Sequence, residues 1–331
     1  MATTPGRLLL LDTASLYFRA FYGVPESVKA PDGTPVNAVR GLLDIVARLV
    51  LDRRPARLVA CWDDDWRPAF RVAAIPSYKA HRLAAPGSAP GGGPGGDVEE
   101  VPAGIVPQVP VIAEVLEALG IARLGAPGYE ADDVIGTLVA RETTRSAAAR
   151  GPVDVVTGDR DLFQLVDDAV PVRVLYTQRG IKDLEVVDEE RLAERYAVRP
   201  GSAYADLAVL RGDPSDGLPG VPGIGEKTAA TLVRRYGDLA GVLAARDRAD
   251  PGLTATQRRR LLDAADYLAV APTVVRVAAD APVAAADDAL PSTPADPERL
   301  VGLAQRWGLT SAVRRVVDAL SEVGAATAAG R

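Results

Sequence analysis

Two short apolar runs, "RLLLLD" closing on Asp12 and "RLVACWD" closing on Asp63, constrain the fold more than any other feature of the chain. Each is brief, continuously apolar and followed by an acid, the pattern of a strand buried on both faces of a parallel sheet. Between them "NAVRGLLDIVARLVLD" carries helical periodicity. The alternation repeats as helix "VPVIAEVLEALG", strand "IARL", helix "ADDVIGTLVARE", strand "VDVVTG", helix "DLFQLV" and strand "VRVLY". Such alternation specifies an α/β fold with a central, mostly parallel sheet flanked by helices. Ligands of these sheets bind beyond the carboxyl ends of the strands, where Asp12, Asp63 and Asp159 fall.

Two segments break the rhythm. Residues 84–97, "AAPGSAPGGGPGGD", hold too little apolar surface to order themselves and are expected to be mobile. From about residue 185 no further strand is expected; the tail reads as a helical lobe, with an Ala/Pro/Asp-rich connection near 278–297 before a last helix pair ending near Leu320. The expected division is an α/β core over 1–184 and a helical lobe over 185–331. At 331 residues and 48% hydrophobic, the chain buries a sizeable core.

Composition removes several kinds of site. One cysteine, Cys61, and one histidine, His81, exclude internal disulfides, cysteine-rich zinc sites and multi-histidine metal centres. His81 itself reads as a surface residue. The N-terminal apolar run is too short for a secretory signal and nothing later is long enough to span a membrane, so a cytoplasmic setting is expected. Chemistry must rest on carboxylates, which suit hard cations such as Mg²⁺ or Mn²⁺.

Nine acids stand out. "YEADDVIG" places Glu130, Asp132 and Asp133 at a helix mouth, "TGDRDLFQL" places Asp159 and Asp161 on a strand-to-helix turn, and "GDPSDG" places Asp213 and Asp216 three apart, beside Asp12 and Asp63 at strand ends. Taken singly, each has a plain structural alternative in helix capping or turn formation. Taken together, they crowd one sheet edge and an adjoining turn, and like charges so placed disfavour the folded state unless cations join them. The net charge of −6 conceals this: with the nine set aside, 35 acids remain against 38 basic residues, a mildly basic balance open to a nucleic-acid partner. "SYKAHR" supplies Lys79 and Arg82, expected on one helical face, with a solvated basic face as the alternative. "GVPGIGEKTA" opens a helix with glycines, an arrangement that points N–H groups at an anion.

In the same order, Asp12, "WD" at 62–63, "FR" at 70–71, "YKAHR", "YEADDVIGTL", "TGDRDLFQLV" and "GDPSDGLPGVPGIGEKTA" resemble the 5′-nuclease, or flap endonuclease, family, as in the 5′→3′ exonuclease domain of bacterial DNA polymerase I. The similarity runs from about residue 7 to about 280. It implies a PIN-like 5′-nuclease core, a helical arch at about 76–106, and a helix-three-turn-helix motif at about 203–236. It also implies that Asp12, Asp63, Glu130, Asp132, Asp133, Asp159, Asp161, Asp213 and Asp216 hold two Mg²⁺ or Mn²⁺ ions, and that Lys79 and Arg82 act on the scissile phosphate. Gly220, Val221, Gly223, Ile224, Gly225, Lys227 and Thr228 would grip duplex phosphates, with a K⁺ at the hairpin, and Arg19, Arg71 and Tyr78 would lie near the substrate.

Two features depart from the family pattern. Gly217 stands where the family has Asn, and Asp63 is one residue farther from the "FR" pair. The function implied is a metal-dependent, structure-selective 5′→3′ exonuclease or flap endonuclease, monomeric, nucleoid-associated and in transient contact with a separate DNA polymerase or ligase. The partners implied are DNA 5′ ends, flaps and nicks. The residues alone leave open a non-catalytic DNA-structure binding module and a small-molecule phosphohydrolase.

Overall fold

The computed structural model describes residues 6–84 and 97–329. β1 (Leu8–Asp12), β2 (Arg57–Cys61), β3 (Ala122–Leu124), β4 (Val153–Thr157) and β5 (Val172–Tyr176) run parallel, and β6 (Glu185–Val187) closes one edge antiparallel to β5. The spatial order is β3-β2-β1-β4-β5-β6. The chain therefore reverses its direction of winding between β1 and β4. That is where an open α/β sheet leaves a crevice above its strand ends. β6 corrects the expectation that strands cease near 185: three residues are too few to show periodicity, yet they cover the open edge of β5.

Side chains alternate across the sheet, so each strand feeds two cores. On one face Leu8, Leu10, Val59, Val153 and Val155 pack with α5 (Ala131–Thr143). The other face buries Leu9, Leu11, Leu58, Ala60 and Val156 under α1 (Thr13–Gly23), α2 (Asn37–Arg53) and α4 (Gln108–Leu119). The segment expected as helix "DLFQLV" is a single 3₁₀ turn, Asp161–Leu165.

Beyond the sheet, α6 (Glu189–Tyr196), α7 (Gly201–Arg211), α8 (Glu226–Tyr236), α9 (Leu239–Asp247), α10 (Ala255–Asp263) and α11 (Ala265–Val275) pack in succession, with α7 against α8 and α11. α11 also rests on the short α3 (Ala69–Ala74). α12 (Pro297–Arg306) and α13 (Thr310–Ala329) depart from the expected lobe over 185–331, for they return to the core, α12 on α4 and α13 on α2. The reason is visible in α13: Ala312, Val313, Val316, Ala319, Leu320 and Val323 form a helical stripe that completes the second core. Arg315–Asp44 and Arg54–Glu322 ion pairs flank that seam. Most of the insert expected to be mobile, residues 85–96, lies outside the described residues.

Candidate active site

The crevice is built from strand ends. Asp12, the last residue of β1, caps α1 by accepting from the Ser15 N–H at 3.1 Å, and its other oxygen accepts from Thr157 Oγ1 of β4 at 2.6 Å. Thr157 Oγ1 in turn accepts from the Asp159 N–H at 2.9 Å, which fixes the turn after β4. Asp63, two residues past β2, accepts from the Ala131 N–H at 2.7 Å and so ties that strand to the mouth of α5. Glu130 is the cap of α5, and Asp132 lies in its first turn. Asp12, Asp63, Glu130, Asp132 and Asp159 line one open pocket of about 240 Å³ together with Lys79, Arg82, Glu99, Phe18 and Trp66.

This crowding is expensive. Burial, with Asp159 adding to it against the hydrogen bonds from Thr157 and Ser15, raises the Asp12 carboxyl to about 6. Burial chiefly, then Asp12 and Glu130, raises Asp63 to about 7. Asp132 and Asp161 are pushed well above the usual carboxylate range, first by burial and then by neighbouring acids. Among the described residues no three Asp, Glu, His or Cys side chains are gathered tightly enough to hold an ion. The acids line the pocket without converging on one point. The donor set is all oxygen, which fits hard divalent cations.

The remaining site residues divide. Asp216 adjoins the pocket: its carboxylate accepts from Arg82 Nη2 at 2.8 Å and its carbonyl from the Lys79 N–H at 2.9 Å. Asp213 is engaged by Ser215 and stands 3.6 Å from Arg211 Nη2 and 3.9 Å from Arg160 Nη2. Asp161 feels Asp159, Asp216 and Asp213 in that order. Asp133 does not join them. It is fully buried, held by Arg71 through both oxygens at 2.6 and 2.7 Å, and it accepts from the N–H groups of Ala278 and Glu130.

Three further expectations are corrected. Lys79 and Arg82 do not share a helical face, because Lys79 takes a left-handed conformation and Ala80–Arg82 is one 3₁₀ turn, yet both side chains reach the pocket. Arg71 and Tyr78 are buried rather than presented at the surface; Arg71 bonds Glu130 at 2.6 Å, and Tyr78 donates to Glu130 at 2.7 Å. Lys79 holds the other Glu130 oxygen. Arg19 is half-buried and donates to Thr177 Oγ1 at 3.1 Å, and His81 is exposed as expected.

In the turn between α7 and α8, Gly220, Val221 and Ile224 are buried, and the Val221 and Ile224 N–H groups donate to Leu210 and Val221 carbonyls. Gly223, Gly225 and Lys227 are exposed and Thr228 half-buried. Gly225 caps α8 without a side chain, so no cap side chain accepts from the first-turn amides. Phe18 and Trp66 were missed, although Phe18 lies one turn beyond Ser15 on the helix that leaves Asp12. Glu99 belongs to no motif.

The description "5′-3′ exonuclease, N-terminal resolvase-like domain" matches residues 7–197, and "5′-3′ exonuclease, C-terminal SAM fold" matches residues 199–298. The chain belongs to the 5′-3′ exonuclease family. A 5′-3′ exonuclease of Streptomyces coelicolor is 63% identical over 95% of this chain and 100% of its own length. One from Mycobacterium tuberculosis is 54% identical over 95% and 97%. The bacteriophage T5 flap endonuclease, solved in a pseudo-enzyme–product complex with DNA and metal ions, shares the fold with a TM-score of 0.60 at 14% identity, covering 96% of this chain and 98% of that one. No helix among the described residues of this family member is long and apolar enough to cross a membrane.

Proposed function

We propose that this 5′-3′ exonuclease family member hydrolyses DNA phosphodiester bonds at 5′ ends and flaps, in replication and repair, with two Mg²⁺ or Mn²⁺ ions. The observation that carries the reading is the pocket at the β1/β4 crossover, where five of the motif acids, with Glu99 as a sixth, line the same space as Lys79 and Arg82. Asp12, Asp63, Glu130, Asp132 and Asp159 would hold the first ion, and Asp161, Asp213 and Asp216 a second; Asp133 is removed from the set by its bonds to Arg71. Divalent cations bound there supply an activated water and stabilise the departing oxygen.

The chain's own groups do the rest. Glu130 receives Lys79, Tyr78 and Arg71, so Lys79 is anchored in the pocket and presents fixed positive charge where a phosphate gains negative charge. Arg82 does the same from the Asp216 side. Asp12 is oriented by Thr157 and Ser15 before any substrate arrives. The turn before α8, read as a helix-three-turn-helix hairpin, would take a duplex phosphate on its amides and Lys227, with K⁺ as the accompanying ion. A monomer in the cytoplasm, meeting a DNA polymerase or ligase transiently, is the setting this implies.

The test is cleavage of 5′-flap and nicked duplexes with Mg²⁺ or Mn²⁺ and with a chelator. Products bearing 5′-phosphates, formed only with the ions, are expected. Inertness of the folded protein toward every such substrate would end the proposal.

A further inference from the structure

Glu99 is the one acid of the pocket that lies outside all nine motif positions. Its backbone is pinned: Leu83 and Glu99 form an antiparallel bridge, the Ala84 N–H donates to the Val98 carbonyl at 2.8 Å, and the Glu100 N–H to the Arg82 carbonyl at 2.8 Å. Two residues earlier, Asp97 is held by Arg67, and its carbonyl accepts from Trp66 Nε1 at 3.2 Å. An extended segment sends alternate side chains to opposite sides. Glu99 accordingly lines the pocket, half-buried, while Glu100 is exposed. Burial raises the Glu99 carboxyl above its ordinary value, while Lys79 and Arg82 beside it in the pocket pull it down and Glu130 pushes it up. Lys79 and Arg82 are the two cations assigned above to the phosphate.

We propose that Glu99 is a specificity-determining residue: a carboxylate, held at the pocket by its pinned backbone, that competes with incoming phosphate for Lys79 and Arg82. This rests on the nuclease reading of the same pocket. A strand whose only hold on the protein is the pocket binds only by displacing this anion, whereas a flap or nicked duplex gripped at the turn before α8 stays bound whether or not its phosphate displaces Glu99, so its affinity depends less on that carboxylate. Glu99 therefore penalises bare single strands more than structured DNA. It acts through Lys79 and Arg82 and takes no proton in the reaction.

The experiment compares the full chain with Glu99→Gln and Glu100→Gln, which keep the side chain's shape, and Glu99→Asp, which keeps its charge. Anisotropy in chelator measures binding of a single-stranded oligonucleotide and of a 5′-flap duplex, and steady-state kinetics in Mg²⁺ give kcat and KM on both. For Glu99→Gln the single strand should bind roughly three- to tenfold tighter, as suits a half-exposed charge near a surface. Its KM should fall by a similar factor, and the flap should gain less. Glu99→Asp should retain the parental discrimination, and Glu100→Gln should match the parent.

Three results would overturn the assignment: no change with Glu99→Gln, the same change with Glu100→Gln, or a fall in kcat together with a higher Mg²⁺ requirement, which would make Glu99 a metal ligand. If the parent itself neither binds nor cleaves DNA, the nuclease reading is what fails.

Discussion

Replacing Asp133 by Asn removes a charge that the fold uses and leaves the candidate metal pocket its acids. Arg71 is almost wholly buried, and its guanidinium is met by both Asp133 oxygens and by Glu130 Oε2, while Nε donates to the Val274 carbonyl at the end of α11 at 3.0 Å. Breaking a buried pair from one side costs about 3–5 kcal/mol, because the partner's charge stays buried. Glu130 remains to offset part of this, and the Asn amide oxygen can still accept from one of the two N–H groups of Ala278 and Glu130. The other loses its acceptor at about 1 kcal/mol or more. The expected loss is thus about 3 kcal/mol, read by urea unfolding in chelator, with Mn²⁺ affinity by calorimetry close to the parent's. Asp132→Asn should behave in the opposite sense, gaining stability in chelator by relief of repulsion, losing Mn²⁺ affinity and turnover, and still binding DNA. If Asp133→Asn costs under about 1 kcal/mol yet abolishes Mn²⁺ binding, Asp133 is a ligand and the strut argument is wrong.

Stability without metal should depend on pH in an unusual direction. The carboxyls of Asp12 and Asp63 titrate near 6 and 7 in the folded chain against 3.8 when free, so their ionisation opposes folding. The penalty is absent below about pH 4 and complete above about pH 7, and for the buried Asp12 it amounts to about 3 kcal/mol. Thermal unfolding in chelator should therefore show stability falling from pH 5 to pH 8, and Mg²⁺ should abolish the decline; a rise over that interval in chelator would contradict the burial of these acids. Lys79→Met should lower kcat by roughly 10²–10³ with a smaller change in KM; steady-state assays on a flap substrate decide. Gly217→Ala should destabilise by about 1–3 kcal/mol and slow single-turnover cleavage, since φ of +71° disfavours a side chain and the new methyl would strike the Ser77 carbonyl beside Lys79.

The sheet and its acids were legible because their signals are local. "RLLLL" and "RLVAC" carry the uninterrupted hydrophobicity of doubly buried strands, and Asp12, Asp63 and Asp159 follow from where those strands end. Charge alone did not reveal which acids face the pocket: Asp132 and Asp133 are neighbours, and only the long-range reach of Arg71 turns Asp133 away. The same reach explains why Arg71 and Tyr78 looked available to DNA. Glu99 was illegible because its place depends on the bridge to Leu83 across a Gly/Pro stretch that carries no pattern. The destination of α13 was equally hidden, since an amphipathic helix states that it has a partner without stating which one.

That destination has a temporal meaning. On the ribosome α2 is made long before α13, the helix that shields it, so the intervening chain is synthesised with one greasy flank of the nascent sheet layer bare. Until α13 arrives, the emerging chain is a ready client for holding chaperones, and a premature stop shortly before residue 310 would leave that flank permanently uncovered.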